Sequence, residues 1–246
     1  MSLIEEDIRG MRAYYIMHCS SFNLPVNQEV KEDVSFDMFE ESDATASTII
    51  KNHGEYLNNI NLIHVFHEMR IKQSGVIFVK DEVTFKKKVE FESYIHKAAF
   101  NCYYFIPRQL FVLRVSKHIR NDFAKRVKSK FSHILSINEK RIDFSRLPQY
   151  FNSLSRAYFK KMSSPEIKNA VIGGNIDPVS NNIYNQFKQS GEISAITLRY
   201  PFRNELHSIM LTQQSGIILF DKYESVDIEL EIVRHIIDNL LVNIWI

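Results

Sequence analysis

The sequence predicts an α+β protein: an antiparallel β-meander closed by a basic amphipathic helix, then a helical connection and a second β-hairpin with a C-terminal helix. Three observations carry this reading. Apolar and polar residues alternate through 62–115, a four-residue repeat takes over at Ser116, and the last third combines proline-marked helix starts with a polar-glycine turn between apolar runs.

Ala13–Cys19 reads as a first strand, and Val34, Phe36 and Met38 repeat with period two, as on a half-buried edge strand. Asp43 is placed to cap a helix running to about Leu57, although Gly54 weakens it. Leu62–Ile71 and Val76–Lys80 flank Lys72-Gln73-Ser74-Gly75, which has the composition of a hairpin turn. Val83, Phe85, Val89 and Phe91 then mark one face of a further strand. Cys102–Ile106 and Leu110–Val115 enclose a tight connection at Pro107-Arg108-Gln109.

From the Ser116 cap, Ile119, Phe123, Val127 and Phe131 recur every fourth residue, predicting a helix over 117–135. Ser164-Pro165 and Asp177-Pro178 announce two more helices, stopped by Gly173-Gly174 and Gly191. Ile193–Phe202 reads as a strand, Leu206–Phe220 as a hairpin and Val226–Leu241 as a helix. The words Gln73-Ser74-Gly75 and Gln214-Ser215-Gly216 echo one another, through duplication of a hairpin unit or through convergence on similar turn chemistry. The predicted division is 1–135, a β-rich domain closed by the basic helix, and 136–246, an α+β domain. No linker-like stretch separates them.

Composition fits a folded protein: 45% of the 246 residues are apolar and 12% aromatic. Two cysteines, Cys19 and Cys102, are too few for a disulfide scaffold, which suggests a reducing compartment. The acidic N-terminus and the charges interrupting the apolar C-terminal stretch argue against a secretory signal and a membrane span, so a cytoplasmic location without membrane insertion is expected.

The formal net charge of +2 conceals a strong asymmetry. Met69–Lys168 carries 22 Lys/Arg against 8 Asp/Glu, while the segments on either side are net acidic. Clustered cations are the footprint of a polyanion partner. The predicted binding residues are Arg108, Arg114, Lys117, Arg120, Lys125, Arg126, Lys128, Lys130, Lys140 and Arg141, centred on a helix whose apolar stripe faces the sheet while its other faces reach phosphates. DNA or RNA is therefore the expected partner of a non-enzymatic protein.

Two alternatives remain. One is an interaction module that docks an acidic partner. The other is a metal-dependent nuclease using Asp143, Glu166 and Lys168, whose order imitates that of restriction-type nucleases. No common nucleotide-binding, hydrolase or zinc-protease motif occurs, and no catalytic residue, metal ligand or cofactor is assigned. His64 and His67, three apart on a predicted strand, point to opposite faces and suggest structural roles. The broad stripe of Ile228, Ile232, Ile236 and Leu240 needs cover, from the chain itself or from a second copy in a homodimer.

Overall fold

The computed structural model describes residues 12–35, 45–79, 87–164 and 166–246. The described residues are mostly β: 54% strand and 24% helix, with twelve antiparallel strands. In chain order the strands are β1 (Arg12–Phe22), β2 (Glu29–Ser35), β3 (Thr45–Leu57), β4 (Ile60–Val79), β5 (Lys87–Phe105) and β6 (Leu110–Arg114). They continue as β7 (Leu135–Glu139), β8 (Leu154–Lys160), β9 (Asn169–Ile176), β10 (Glu192–Phe202), β11 (Glu205–Thr212) and β12 (Gly216–Leu219). The helices are α1 (Lys117–Lys130), α2 (Asn182–Ser190) and α3 (Val226–Ile236), the last running on through a π turn (Ile237–Leu241) into a final helical turn (Val242–Ile244). The described residues form two compact units, one of 12–19, 110–117 and 138–246, the other of 20–35, 45–79, 87–109 and 118–137.

In the first unit the strand order is β6-β1-β12-β11-β10-β8-β9. Its β1 buries Tyr14, Tyr15, Ile16 and Met17 in succession, as a strand covered on both faces must. Asn181 caps α2 through Tyr184 N–H, and Ser225 caps α3 through Ile228 N–H. Leu230, Ile232, Val233, Ile236, Ile237, Leu240 and Leu241 are all at most 2% exposed, so the stripe that suggested a dimer is buried within the chain except at Ile228, which is half-buried.

Gly216 shows how tightly the β11–β12 hairpin closes on β1. A Cβ there would lie 2.6 Å from Thr212 Oγ1 and 2.8 Å from the Tyr15 ring. Gly216→Ala is expected to lower stability by ~1–3 kcal/mol, the usual cost of overpacking, read as a fall in thermal midpoint; an unchanged midpoint would show that Tyr15 yields freely.

The second unit is a meander, β2-β3-β4-β5, with α1 packed on it. Phe123 of α1 meets His67 of β4 and Phe100 of β5 edge-on, with ring centroids 5.7 and 5.5 Å apart.

Four sequence expectations are corrected. The helix expected up to Leu57 is β3: Ala46, Thr48, Ile50 and Asn52 alternate into the interior, and the β-branched Thr45, Thr48, Ile49 and Ile50 suit a strand paired on both sides. Gly54, which had counted against the helix, takes φ +84°. Lys72–Gly75 is no hairpin turn; β4 runs through it, and β5 faces it across a register shift. The helix expected after Ser164 is the strand β9, because 169–176 pairs with β8. The helix begun at Lys117 stops at Lys130, freeing Leu135 to start β7. Phe36, Met38, Asp43, Val83, Phe85 and Pro165 lie outside the described residues.

Candidate nucleic-acid interface

Helix α1 lies almost wholly in the second unit, and its arginines and lysines part company there. Arg120 is 1% exposed and Arg126 8%. Arg126 Nη1 donates to Ala46 O at 3.0 Å and to Thr48 Oγ1 at 3.3 Å, and its Nη2 to Glu68 O at 3.4 Å. Only a guanidinium spreads its donors widely enough to serve three acceptors, and these donors are thereby spent inside the fold. Lys125, Lys128 and Lys130 are exposed and stand in no ion pair among the described residues.

The expected ten-residue surface therefore divides. Arg120 and Arg126 are corrected from phosphate ligands to interior residues, since a buried guanidinium cannot reach a backbone phosphate. Arg108 is exposed in the same unit as Lys125, Lys128 and Lys130. The other four belong to the first unit. There Arg114 is corrected as well: it is 18% exposed and pairs with the buried Glu229 at 3.3 Å. Lys117 and Arg141 are exposed, and Lys140 lies over the Trp245 ring, 4.7 Å from its centroid.

Beneath α1 a polar network sets the helix on the sheet. Thr48 Oγ1 meets His67 Nδ1 at 2.8 Å, and His67 Nε2 meets Asp122 Oδ2 at 3.0 Å. Because Arg126 can only donate to Thr48, the buried threonine hydroxyl has its own proton to give to His67 Nδ1, which leaves Nε2–H to donate to Asp122. Hydroxyl, imidazole and carboxylate in line imitate a hydrolase triad. Thr48 and His67 are both 0% exposed, so no substrate carbonyl reaches that hydroxyl, and the network is a brace.

The His67 hydrogen bond holds the Asp122 carboxyl below its ordinary value, against a smaller opposing effect of burial. A depressed folded-state value means that this contribution to stability is complete above the unfolded-state value of ~3.9 and is lost as pH falls through the folded one. Asp122→Asn is accordingly expected to flatten the acid limb of the urea-midpoint-against-pH curve below about pH 4; a limb as steep as the parent's would refute this.

The metal-nuclease alternative finds no support in the geometry. Asp143 caps a short 3₁₀ turn, accepting from Ser145 N–H and Oγ at 3.0 and 2.6 Å, and pairs with Arg146 at 3.3 Å. Glu166 and Lys168 are exposed. Among the described residues no group of three His, Cys, Asp or Glu side chains is placed to hold a metal ion. Both cysteines are buried, and burial pushes the Cys102 thiol well up. No helix among the described residues is long and apolar enough to cross a membrane. Neither the known protein families nor the curated proteins contain a match to this chain.

Two features escaped sequence reasoning. One is the brace Thr48-His67-Asp122-Arg126, whose members come from β3, β4 and α1. The other is a set of tyrosine–histidine pairs in the first unit, formed between β10, β11, α3 and the segment after β12. The only local signal was the period-two placing of Thr48 and His67 on the buried faces of their strands.

Proposed function

We propose that the protein binds nucleic acid through the phosphate backbone, with Lys125, Lys128 and Lys130 of α1 as its grip. One observation carries the reading: the arginines of α1 are spent on the interior, while the exposed second half of the helix keeps only lysines and Ser129. Between Asp122 and Glu139 the chain holds no carboxylate to neutralise them. Flexible ammonium groups that stand in no ion pair among the described residues serve phosphates as point charges, without the fixed fork geometry that reads base edges. Arg108, Lys117, Lys140 and Arg141 are further cations of the proposed set.

Electrophoretic mobility shift of the whole protein with duplex DNA, single-stranded DNA and RNA, repeated across salt concentrations, tests this. The expected result is a shift that weakens steeply with salt and little with sequence. No shift at low salt, together with capture of an acidic polypeptide, would overturn it.

A further inference from the structure

Strands β8 to β11 of the first unit use their two faces differently. On one, Phe159 of β8 meets Tyr184 and Phe187 of α2, with ring centroids 5.8 and 5.6 Å apart. Strand residues alternate, so Tyr158 and Arg156 belong to the other face. The register assembles it. Arg156 stands opposite Gly173 of β9 and Thr197 of β10, and Thr197 stands opposite Met210 of β11. Tyr158 stands between Val171 and Ala195 in the next row. Arg199, two residues on from Thr197, shares the face.

Both arginines are exposed, and neither stands in a hydrogen bond or ion pair among the described residues. They are rooted on a diagonal across β8 and β10, which sets their Cβ atoms ~7–8 Å apart. No carboxylate offsets them: in the rows through Tyr158, Arg156, Arg199 and Pro201, no position on this face of β8 to β11 is Asp or Glu. The rest of the face is apolar and accessible. Tyr158 and Met210 are half-buried, and Val171 is 60% exposed.

We infer that this face binds single-stranded nucleic acid, with Tyr158 as the ring on which a base stacks and Arg156 and Arg199 as contacts to phosphates. The inference rests on the nucleic-acid reading above and names the class of strand. Charge selects a polyanion, because two guanidiniums without partners stand on a face without a carboxylate. The ring selects a strand whose bases are free. A duplex keeps its base faces stacked on one another, so only an unpaired base can lie on Tyr158. Every base has a π face, so such stacking tolerates any sequence. The exposed half of α1 offers lysines and no ring, and therefore grips phosphates of either kind of strand. The sheet face is what tells them apart.

The test uses the whole protein with a fluorescent single strand and a duplex of the same sequence, across salt concentrations. Arg156→Gln combined with Arg199→Gln is expected to weaken single-strand binding by about 10-fold or more and to flatten its salt slope by about 1.4, two phosphate contacts at ~0.7 each. Tyr158→Leu, which keeps an apolar side chain but removes the ring, is expected to weaken it by about 5-fold or more. Duplex affinity should stay at the parent's value in both. A photoactivated single strand carrying 4-thiouridine should cross-link to the peptide that holds Tyr158. Because both arginines are exposed, their replacement leaves the core intact and keeps the test valid if Tyr158→Leu folds poorly. Unchanged single-strand affinity in the arginine variant, equal losses for single strand and duplex, or cross-links confined to α1 would each overturn this inference and leave the binding reading standing. An acidic polypeptide bound by the parent and released by the arginine variant, with single strands bound as before, would assign the face to a protein instead. No binding of any nucleic acid by the parent would overturn both readings.

Discussion

Replacing Glu229 with Ala is expected to destabilise the protein by ~3–5 kcal/mol, the cost of removing one partner from a buried ion pair. Glu229 is 1% exposed on α3 and faces three groups at once: Arg12 Nε, Arg114 Nε at 3.3 Å and the Tyr14 hydroxyl. Arg12 is itself 8% exposed and donates to Asp221 O at 2.8 Å. Taking away the carboxylate leaves its positive charge in the interior. Glu229→Gln keeps the shape and an oxygen for Tyr14, so its loss should be the smaller of the two. Urea denaturation of both variants measures this, against a total stability of ~5–15 kcal/mol for an ordinary protein. Equal midpoints for Glu229→Ala and the parent would show that the cluster contributes nothing net.

That cluster also marks where the sequence stops being legible. Within the C-terminal helix Glu229 looked like a charge interrupting an apolar stripe, and nothing local tied it to Arg12 near the other end of the chain. Local patterns succeeded where the partner strand is the next one along. The β10, β11 and β12 strands and the start of α3 were readable because turn chemistry, period-two alternation and the Ser225 cap all lie within the segment itself. They failed where tertiary pairing decides. The word Gln-Ser-Gly occurs twice. At 214–216 it turns the chain, with Ser215 at φ +54°, and at 73–75 it lies inside β4 because β5 pairs on both sides of it. Identical residues serve a turn and a bulge, and only the neighbouring strand distinguishes them.

The candidate interface was half legible for a related reason. Counting charge along 117–130 finds a basic helix but treats every cation alike. Helical periodicity places Arg120, Phe123 and Val127 close to one face, and Arg126 lies at its margin, so a wide buried stripe takes both arginines inward. Burial of Arg126 is offset by carbonyls of the second unit that accept from it, and those acceptors have no signature in the sequence.

Reversing all three lysines, Lys125→Glu, Lys128→Glu and Lys130→Glu, is expected to abolish nucleic-acid binding while leaving the thermal midpoint nearly unchanged. Each phosphate contact contributes ~0.9 to the slope of log affinity against log salt on duplex DNA and ~0.7 on single strands. Three lost contacts should flatten that slope by about 2–3, and the introduced carboxylates add repulsion, so affinity should fall by more than 100-fold near 0.1 M salt. Neutral Gln at the same positions separates these effects, because it removes the contacts without the repulsion and should flatten the slope equally at a smaller loss. Arg126→Met is the contrasting variant: it should lower the midpoint through the polar groups it leaves unpaired, while Lys125, Lys128 and Lys130 stay in place. If Arg126→Met weakened binding with no loss of stability while the triple reversal bound normally, the phosphate grip would have to lie away from the exposed face of α1.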